Sequence, residues 1–196
     1  MTILLIAGSP AERSRSTALL HYAKRRLIDH GFDVSELGLR DLPAEDLVTG
    51  QYMGAAAQQL RQRVEAAEAV LIASPIYKAS FSGGLKAVLD LLDERALANK
   101  LVLPIATGGS AAHLLALEYG FKPVLSSLGA RHILAGVYAT DKQVLYTGDV
   151  AHIDDDVRQR LETSVDLITD HLKRTSRHSY RGYELGQLAL SGQVGL

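Results

Sequence analysis

The chain has 196 residues, with 21 Lys and Arg against 22 Asp and Glu, a formal net charge of −1 that offers no field for nucleic acid. It holds no cysteine, which excludes disulfides, thiolate metal sites and a cysteine nucleophile. Hydrophobic residues make up 47% and charged ones 22%, the balance of a globular protein; no apolar run reaches the ~20 residues that span a bilayer, and MTILLIAGSP lacks the basic start of a secretory signal, so a cytoplasmic protein is expected.

Short apolar runs alternate with segments of helical period, the signature of an α/β fold with a parallel sheet. Ile3 to Ala7 is the first strand, ending at Gly8. A helix begins near Ser16, and Leu19, Leu20, Ala23, Leu27 and Ile28 share one of its faces before Gly31 stops it. Phe32 to Leu37 is the second strand, Asp41 to Gly54 a long loop and Ala55 to Ala67 the next helix. The third strand, Ala69 to Ser74, is apolar throughout, as suits a strand covered on both faces.

Leu85, Val88, Leu89 and Leu92 mark a helix entered through Ser82-Gly83-Gly84, and Leu101 to Thr107 is the fourth strand. A long helix is expected from Ala111 to Leu128, then a fifth strand around Ile133 to Tyr138. The last helix carries Val157, Leu161, Val165, Ile168 and Leu172 behind Asp154-Asp155-Asp156, whose charges complement the positive end of its dipole. This pattern predicts one domain over residues 1–175 and an irregular or mobile tail from Ser176 to Leu196, where glycines recur without a period.

Five strands of this kind commonly take the order 2-1-3-4-5, which sets the C-terminal ends of strands 1, 3 and 4 side by side. Each of those ends is unusual here. The first reads Gly8-Ser9-Pro10-Ala11-Glu12-Arg13-Ser14-Arg15-Ser16-Thr17 and leads into a helix. Helix N–H groups, the hydroxyls of Ser14, Ser16 and Thr17 and the forked cation of Arg15 suit a phosphate dianion, although a serine-capped helix with solvated arginines would read the same. Neither GxxxxGK[ST] nor GxGxxG is present, so a P-loop and a dinucleotide fingerprint are both excluded. Strand 3 ends in Ser74-Pro75-Ile76-Tyr77-Lys78, where a planar ring can stack, and strand 4 in Thr107-Gly108-Gly109, where backbone N–H groups can approach a ligand edge.

These three loops resemble the flavin-binding loops of NADPH-dependent FMN reductases, most of all those of two-component alkanesulfonate monooxygenase systems. The resemblance covers Ile3 to Val137 and includes Ala112-His113-Leu114-Leu115-Ala116-Leu117-Glu118-Tyr119 and Lys122-Pro123-Val124-Leu125. One departure is Ala11, where such proteins often carry an arginine, which leaves open whether Arg13 or Arg15 supplies the charge. The resemblance implies a flavodoxin-like fold and a reaction in which NADPH reduces FMN, the reduced flavin passing to a partner monooxygenase in sulfur acquisition from alkanesulfonates. It places the FMN phosphate on Ser9 and Ser14 to Thr17, the ribityl chain and ring along Pro75 to Lys78, and the pyrimidine edge at Thr107, Gly108 and Gly109. It also implies a homodimer or homotetramer.

Hydride transfer between stacked rings needs no side-chain acid or nucleophile, so no catalytic residue of that type is expected. The seven histidines form no familiar metal-ligand spacing. Tyr119 is a separate case: Pro123, four residues on, cannot donate to its carbonyl, so either a kink or a single-turn π-bulge is expected. By resemblance Tyr119 is the inserted aromatic that controls flavin transfer at a subunit contact. The same loops also fit a quinone or azo-compound reductase that retains FMN, or a flavodoxin-type electron carrier, although such carriers are commonly far more acidic. A phospho-acceptor domain shares the topology but would need an aspartate where strand 3 ends in Ser74.

Overall fold

In the first strand, β1 (Thr2–Ala7), Leu4 and Ile6 enter one core while Ile3 and Leu5 enter another, and each is at most 1% exposed. A strand that is apolar on both faces must lie inside a sheet covered on both sides. Residues 1–191 are described by this computed structural model, with side chains placed as far as residue 175. The chain continues through α1 (Arg15–Asp29), β2 (Asp33–Gly38), α2 (Ala44–Thr49), α3 (Ala55–Ala66), β3 (Ala69–Tyr77), β4 (Ser80–Phe81), α4 (Gly83–Leu89) and β5 (Leu101–Gly108). Beyond these lie α5 (Lys122–Ser127), β6 (His132–Ile133), β7 (Val137–Thr140), β8 (Val144–Thr147), β9 (Val150–Ile153) and α6 (Asp155–Ser191).

Hydrogen bonding joins β2-β1-β3-β5-β6 in parallel; β7 also runs parallel to β5, and β4 folds back antiparallel on β3. This is the flavodoxin-like order expected, in a sheet of seven strands rather than five. Leu60 and Val64 of α3, Leu85 and Val88 of α4, and Leu125 of α5 cover one face. On the other, Leu19, Leu20 and Leu27 of α1 meet Val157, Leu161, Val165 and Ile168 of α6. Each such side chain contributes about 1.5–3 kcal/mol on burial. Among the described residues no helix is long and apolar enough to cross a membrane.

Four expectations are corrected, and one hairpin was not foreseen. The loop from Asp41 to Gly54 contains α2, a helix of six residues with Glu45 and Asp46 in its first turn, ended by Gly50 in the left-handed region at φ +62°. The fifth strand is two pieces, β6 and β7. Between them Gly136 takes φ +91°, and a Cβ there would lie 2.9 Å from Leu117 Cδ2 and 3.0 Å from the Pro104 carbonyl, so only glycine lets the chain pass so close to β5.

The helix expected over Ala111–Leu128 is not uniform. It opens as a 3₁₀ turn at Ala111–Leu114, widens to a π-helix at Leu117–Phe121 and continues as α5. The Lys122 N–H reaches back five residues to the Leu117 carbonyl, and Pro123 follows in the first turn of α5 with no N–H to give. Phe121, fully buried, stacks on Phe81 of β4 with ring centroids 5.0 Å apart, which seats the widened turn against the end of β3.

An unexpected hairpin, β8–β9, turns through Gly148 (φ +58°) and Asp149. Lastly, α6 runs on from Asp155 to Ser191 through most of the segment expected to be an irregular tail, while residues 192–196 lie outside the described residues. Glycine in a helix costs about 1 kcal/mol, whereas each residue added to a formed helix brings its own hydrogen bond, so Gly182 and Gly186 do not end it. Asp154 Oδ1 accepts the Asp156 N–H at 3.0 Å, so the acidic run caps α6 as expected.

At the edge strand β2, Glu36 joins two side chains of α1, accepting from Lys24 Nζ and meeting His21 Nε2, both at 2.8 Å. The hydrogen bond with His21, followed by that from Lys24, outweighs burial and holds the Glu36 carboxyl down to about 2 from an ordinary 4.5. A depressed carboxylate pKa stabilises the fold above the unfolded value, and that contribution is lost as pH falls from 4.5 toward 2. Denaturant unfolding across this window should therefore show wild type losing on the order of 1–3 kcal/mol more than Glu36→Gln. Parallel acid profiles for the two proteins would overturn that linkage.

Candidate active site

The end of β1 lies against α4 because residue 8 has no side chain. A Cβ on Gly8 would come 2.8 Å from Leu85 Cβ and 3.0 Å from the Ala73 carbonyl, which the Gly8 N–H meets at 2.8 Å. Ser82 ties the same place from the other side: its hydroxyl donates to the Gly8 carbonyl and accepts the Leu85 N–H at 3.1 Å, while its own N–H donates to Ser74 Oγ at 2.9 Å. The loops after β1 and β3 are thus fixed to each other through α4.

Beyond Gly8 the Ser9 hydroxyl accepts the Ala11 N–H at 3.2 Å. Ser14 caps α1, its hydroxyl accepting the Thr17 N–H at 3.4 Å and lying 3.0 Å from the fully buried Ser16 Oγ. Capping occupies one N–H of the first turn and leaves others without a helical partner, so the capped helix start still has donors of the kind an anion takes. Arg15 donates through Nε to the Val144 carbonyl at 3.0 Å and places Nη1 3.8 Å from Asp141 Oδ1. Arg13 lies 4.3 Å over the Tyr146 ring, and the Tyr146 hydroxyl donates to the Ser14 carbonyl at 3.0 Å.

At the end of β5, Thr107 is 3% exposed and the backbone then opens at Gly109, where an added Cβ would meet nothing closer than Asp141 Oδ2 at 3.9 Å. Gly108 is closed in: a Cβ there would strike Tyr138 Oη at 2.7 Å. Tyr138 donates to the Ser110 carbonyl at 2.6 Å, and burial, then the nearby Asp141 charge, raise its pKa and keep it a neutral donor. His113 Nδ1 is buried beside Gly108 without a hydrogen-bond partner.

A cleft of about 140 Å³ brings together Ser9, Ser14 and Arg15 from the first loop, Pro75, Ile76 and Tyr77 from the second, and Thr107, Gly108 and Gly109 from the third. Ala11, Arg13 and Asp141 complete its lining. Four of the residues singled out from the sequence lie elsewhere. Ser16 is behind Ser14, Thr17 is in the first turn of α1, Lys78 is at the tip of the β3–β4 turn, and Tyr119 is 81% exposed on the π-helix. Lys78 and Ala79 both take positive φ, 50° and 63°, in a turn of the type that usually holds glycine. Asp141, Tyr138 and Tyr146 were missed by sequence reasoning; the Gly148-Asp149 turn was the one local signal for the hairpin that carries Tyr146.

The donor set fits a flavin mononucleotide: a cationic, hydroxyl-bearing helix start at one end, an apolar wall at Pro75 to Tyr77, and bare glycine backbone at the other end. When bound, such a group would supply a ring that accepts a hydride, while the helix start at Ser14 and Arg15 would hold its phosphate, Pro75 to Tyr77 would flank its plane and the Gly109 backbone would offer N–H donors to its polar edge.

A doubly wound parallel sheet with this cleft at the C-terminal ends of three adjacent strands defines a flavodoxin-like mononucleotide-binding protein. The sequence profile described as NADPH-dependent FMN reductase matches residues 1–144. An FMN reductase (NADPH) of Pseudomonas putida is 45% identical over 179 residues, covering 90% of this chain and 91% of that protein. One from Escherichia coli K12 is 41% identical over 174 residues, covering 89% and 91%. The apo crystal structure of the NADH:FMN oxidoreductase EMOB superposes with a TM-score of 0.76 at 36% identity, covering 86% of this chain and 88% of that one. The chain belongs to the NADPH-dependent FMN reductase family.

Removing the forked cation nearest the helix start should separate two ligands that differ only in a phosphate. Arg15→Ala should weaken FMN by about 10- to 100-fold, the range of a charge-assisted hydrogen bond, and riboflavin by less than about threefold. Flavin-fluorescence titration reads both, and equal losses would remove Arg15 from the phosphate site.

Proposed function

We propose that the chain binds FMN across the three loops as a substrate, reduces it with NADPH, and releases the reduced flavin to an FMNH2-dependent monooxygenase acting on alkanesulfonates. The reaction moves a hydride from the nicotinamide and a proton from solvent onto the flavin, giving NADP⁺ and reduced FMN. Its oxidoreductase class follows from the family. The observation that carries the reading is the cleft that joins the Arg15 helix start to the open backbone of Gly109. With the rings stacked about 3–3.5 Å apart, positioning and water exclusion account for the work of the protein. Anaerobic NADPH oxidation should depend on added FMN and scale with it; a yellow purified protein whose turnover ignores added FMN would mark a flavin-retaining reductase instead.

Release to a partner is supported by the π-helix. Leu114, Leu115 and Tyr119 are 47%, 58% and 81% exposed on the irregular helix that follows the Gly108-Gly109 loop, an apolar strip suited to a second copy in a homodimer or homotetramer. A widened turn at this place would keep the flavin exchangeable. Deleting Tyr119 should restore an α-helical register, make FMN copurify and slow turnover with excess FMN; a colourless deletion protein with unchanged turnover would rule out that role.

A further inference from the structure

An acid lines the cleft between the Arg15 helix start and the Gly109 backbone. Asp141 lies in the 3₁₀ turn between β7 and β8 and lines the cleft alongside Arg13 and Arg15, the two cations there. Its carboxylate is 3.8 Å from Arg15 Nη1, beyond hydrogen-bonding distance, and the two side chains are 47% and 42% exposed. An ion pair that long and that wet does little to hold an arginine in place. Arg15 is held instead by a neutral acceptor, the Val144 carbonyl, at 3.0 Å from Nε. Asp141 therefore contributes mainly its charge, and it carries that charge on the cleft wall itself, with Oδ2 3.9 Å from where a Cβ on Gly109 would stand.

We propose that Asp141 is a specificity-determining residue that weakens the hold on phosphorylated flavin, by offsetting the Arg15 charge and repelling the phosphate dianion. The proposal rests on the reading of this cleft as the FMN site. It gives FMN exchange a cause at the phosphate end, apart from the π-helix. A unit charge several ångströms from a dianion, partly screened by water and salt, corresponds to roughly a three- to tenfold change in affinity.

The test is flavin-fluorescence titration of the full chain with FMN and with riboflavin, at low and high salt. Asp141→Asn should bind FMN about three- to tenfold more tightly with riboflavin unchanged, and the gain should shrink at high salt. Asp141→Glu should keep the wild-type ratio of the two affinities. Asp141→Ser, a second neutral variant, should repeat the gain if the asparagine protein folds poorly. Unchanged or weaker FMN binding in the neutral variants, equal tightening of both flavins, or a gain indifferent to salt would overturn the proposal. If wild type itself shows no preference for FMN over riboflavin, the reading of the cleft fails and the proposal with it; if wild type prefers FMN and the neutral variants do not raise that preference, the proposal alone fails.

Discussion

The approach of β1 to α4 at Gly8 sets the distance between the two halves of the cleft. No Cβ fits between Leu85 and the Ala73 carbonyl, and the Ser82 hydroxyl closes the gap by donating to the Gly8 carbonyl while capping α4. One serine thereby fixes the start of a helix, the end of β1 and, through Ser74, the end of β3. The apolar wall at Pro75 and Ile76 is then held at a set distance from the helix start at Ser14. A side chain at residue 8 would push these apart, and overpacking of this kind typically costs about 1–3 kcal/mol.

The third loop is held differently. Tyr138, at the far side of β5, donates to the Ser110 carbonyl and fills the space that a side chain on Gly108 would need, so the Gly108-Gly109 backbone is shaped by a strand that contributes nothing else to the cleft wall. The π-helix follows at once and is seated by the Phe81–Phe121 stack, with Gly120 close to Ser80, whose Oγ would stand 3.6 Å from an added Cβ. The β3–β4 turn and the widened helix thus share one contact. Rigidity at the Gly8 loop and irregular helix beyond the Gly108-Gly109 loop meet around the same cleft.

Strands β1, β3 and β5 were legible within one to three residues because they are continuous apolar runs, and the three loops were legible because Ser-Pro and Gly-Gly punctuate their ends. The short helix α2 has one partly buried apolar side chain packed on the core, Leu47, and so no period to read. The hairpin β8–β9 alternates inward and outward, but its outward positions include the apolar Leu145 and Val150, so no polar–apolar period marks it in the sequence. What the arginines touch was hidden more deeply. Arg15 pairs with a backbone carbonyl 129 positions away, and a carbonyl has no side-chain identity to find in a sequence. Pro123 did announce the irregular helix, since a missing donor at a known spacing is a local fact.

The broken fifth strand also bears on how copies of this chain can associate. A sheet edge invites another strand when it offers a long, flat row of unpaired backbone groups. Here one edge is interrupted at Gly136 into runs of two and four residues, and the opposite edge, β2, carries Asp33 and the ion-paired Glu36. Neither border is a good template for strand addition, so growth of the sheet from molecule to molecule is disfavoured at both ends. The close pass of residue 136 beside β5, which only glycine permits, thus also shortens the row of backbone groups that this edge offers to a neighbouring strand.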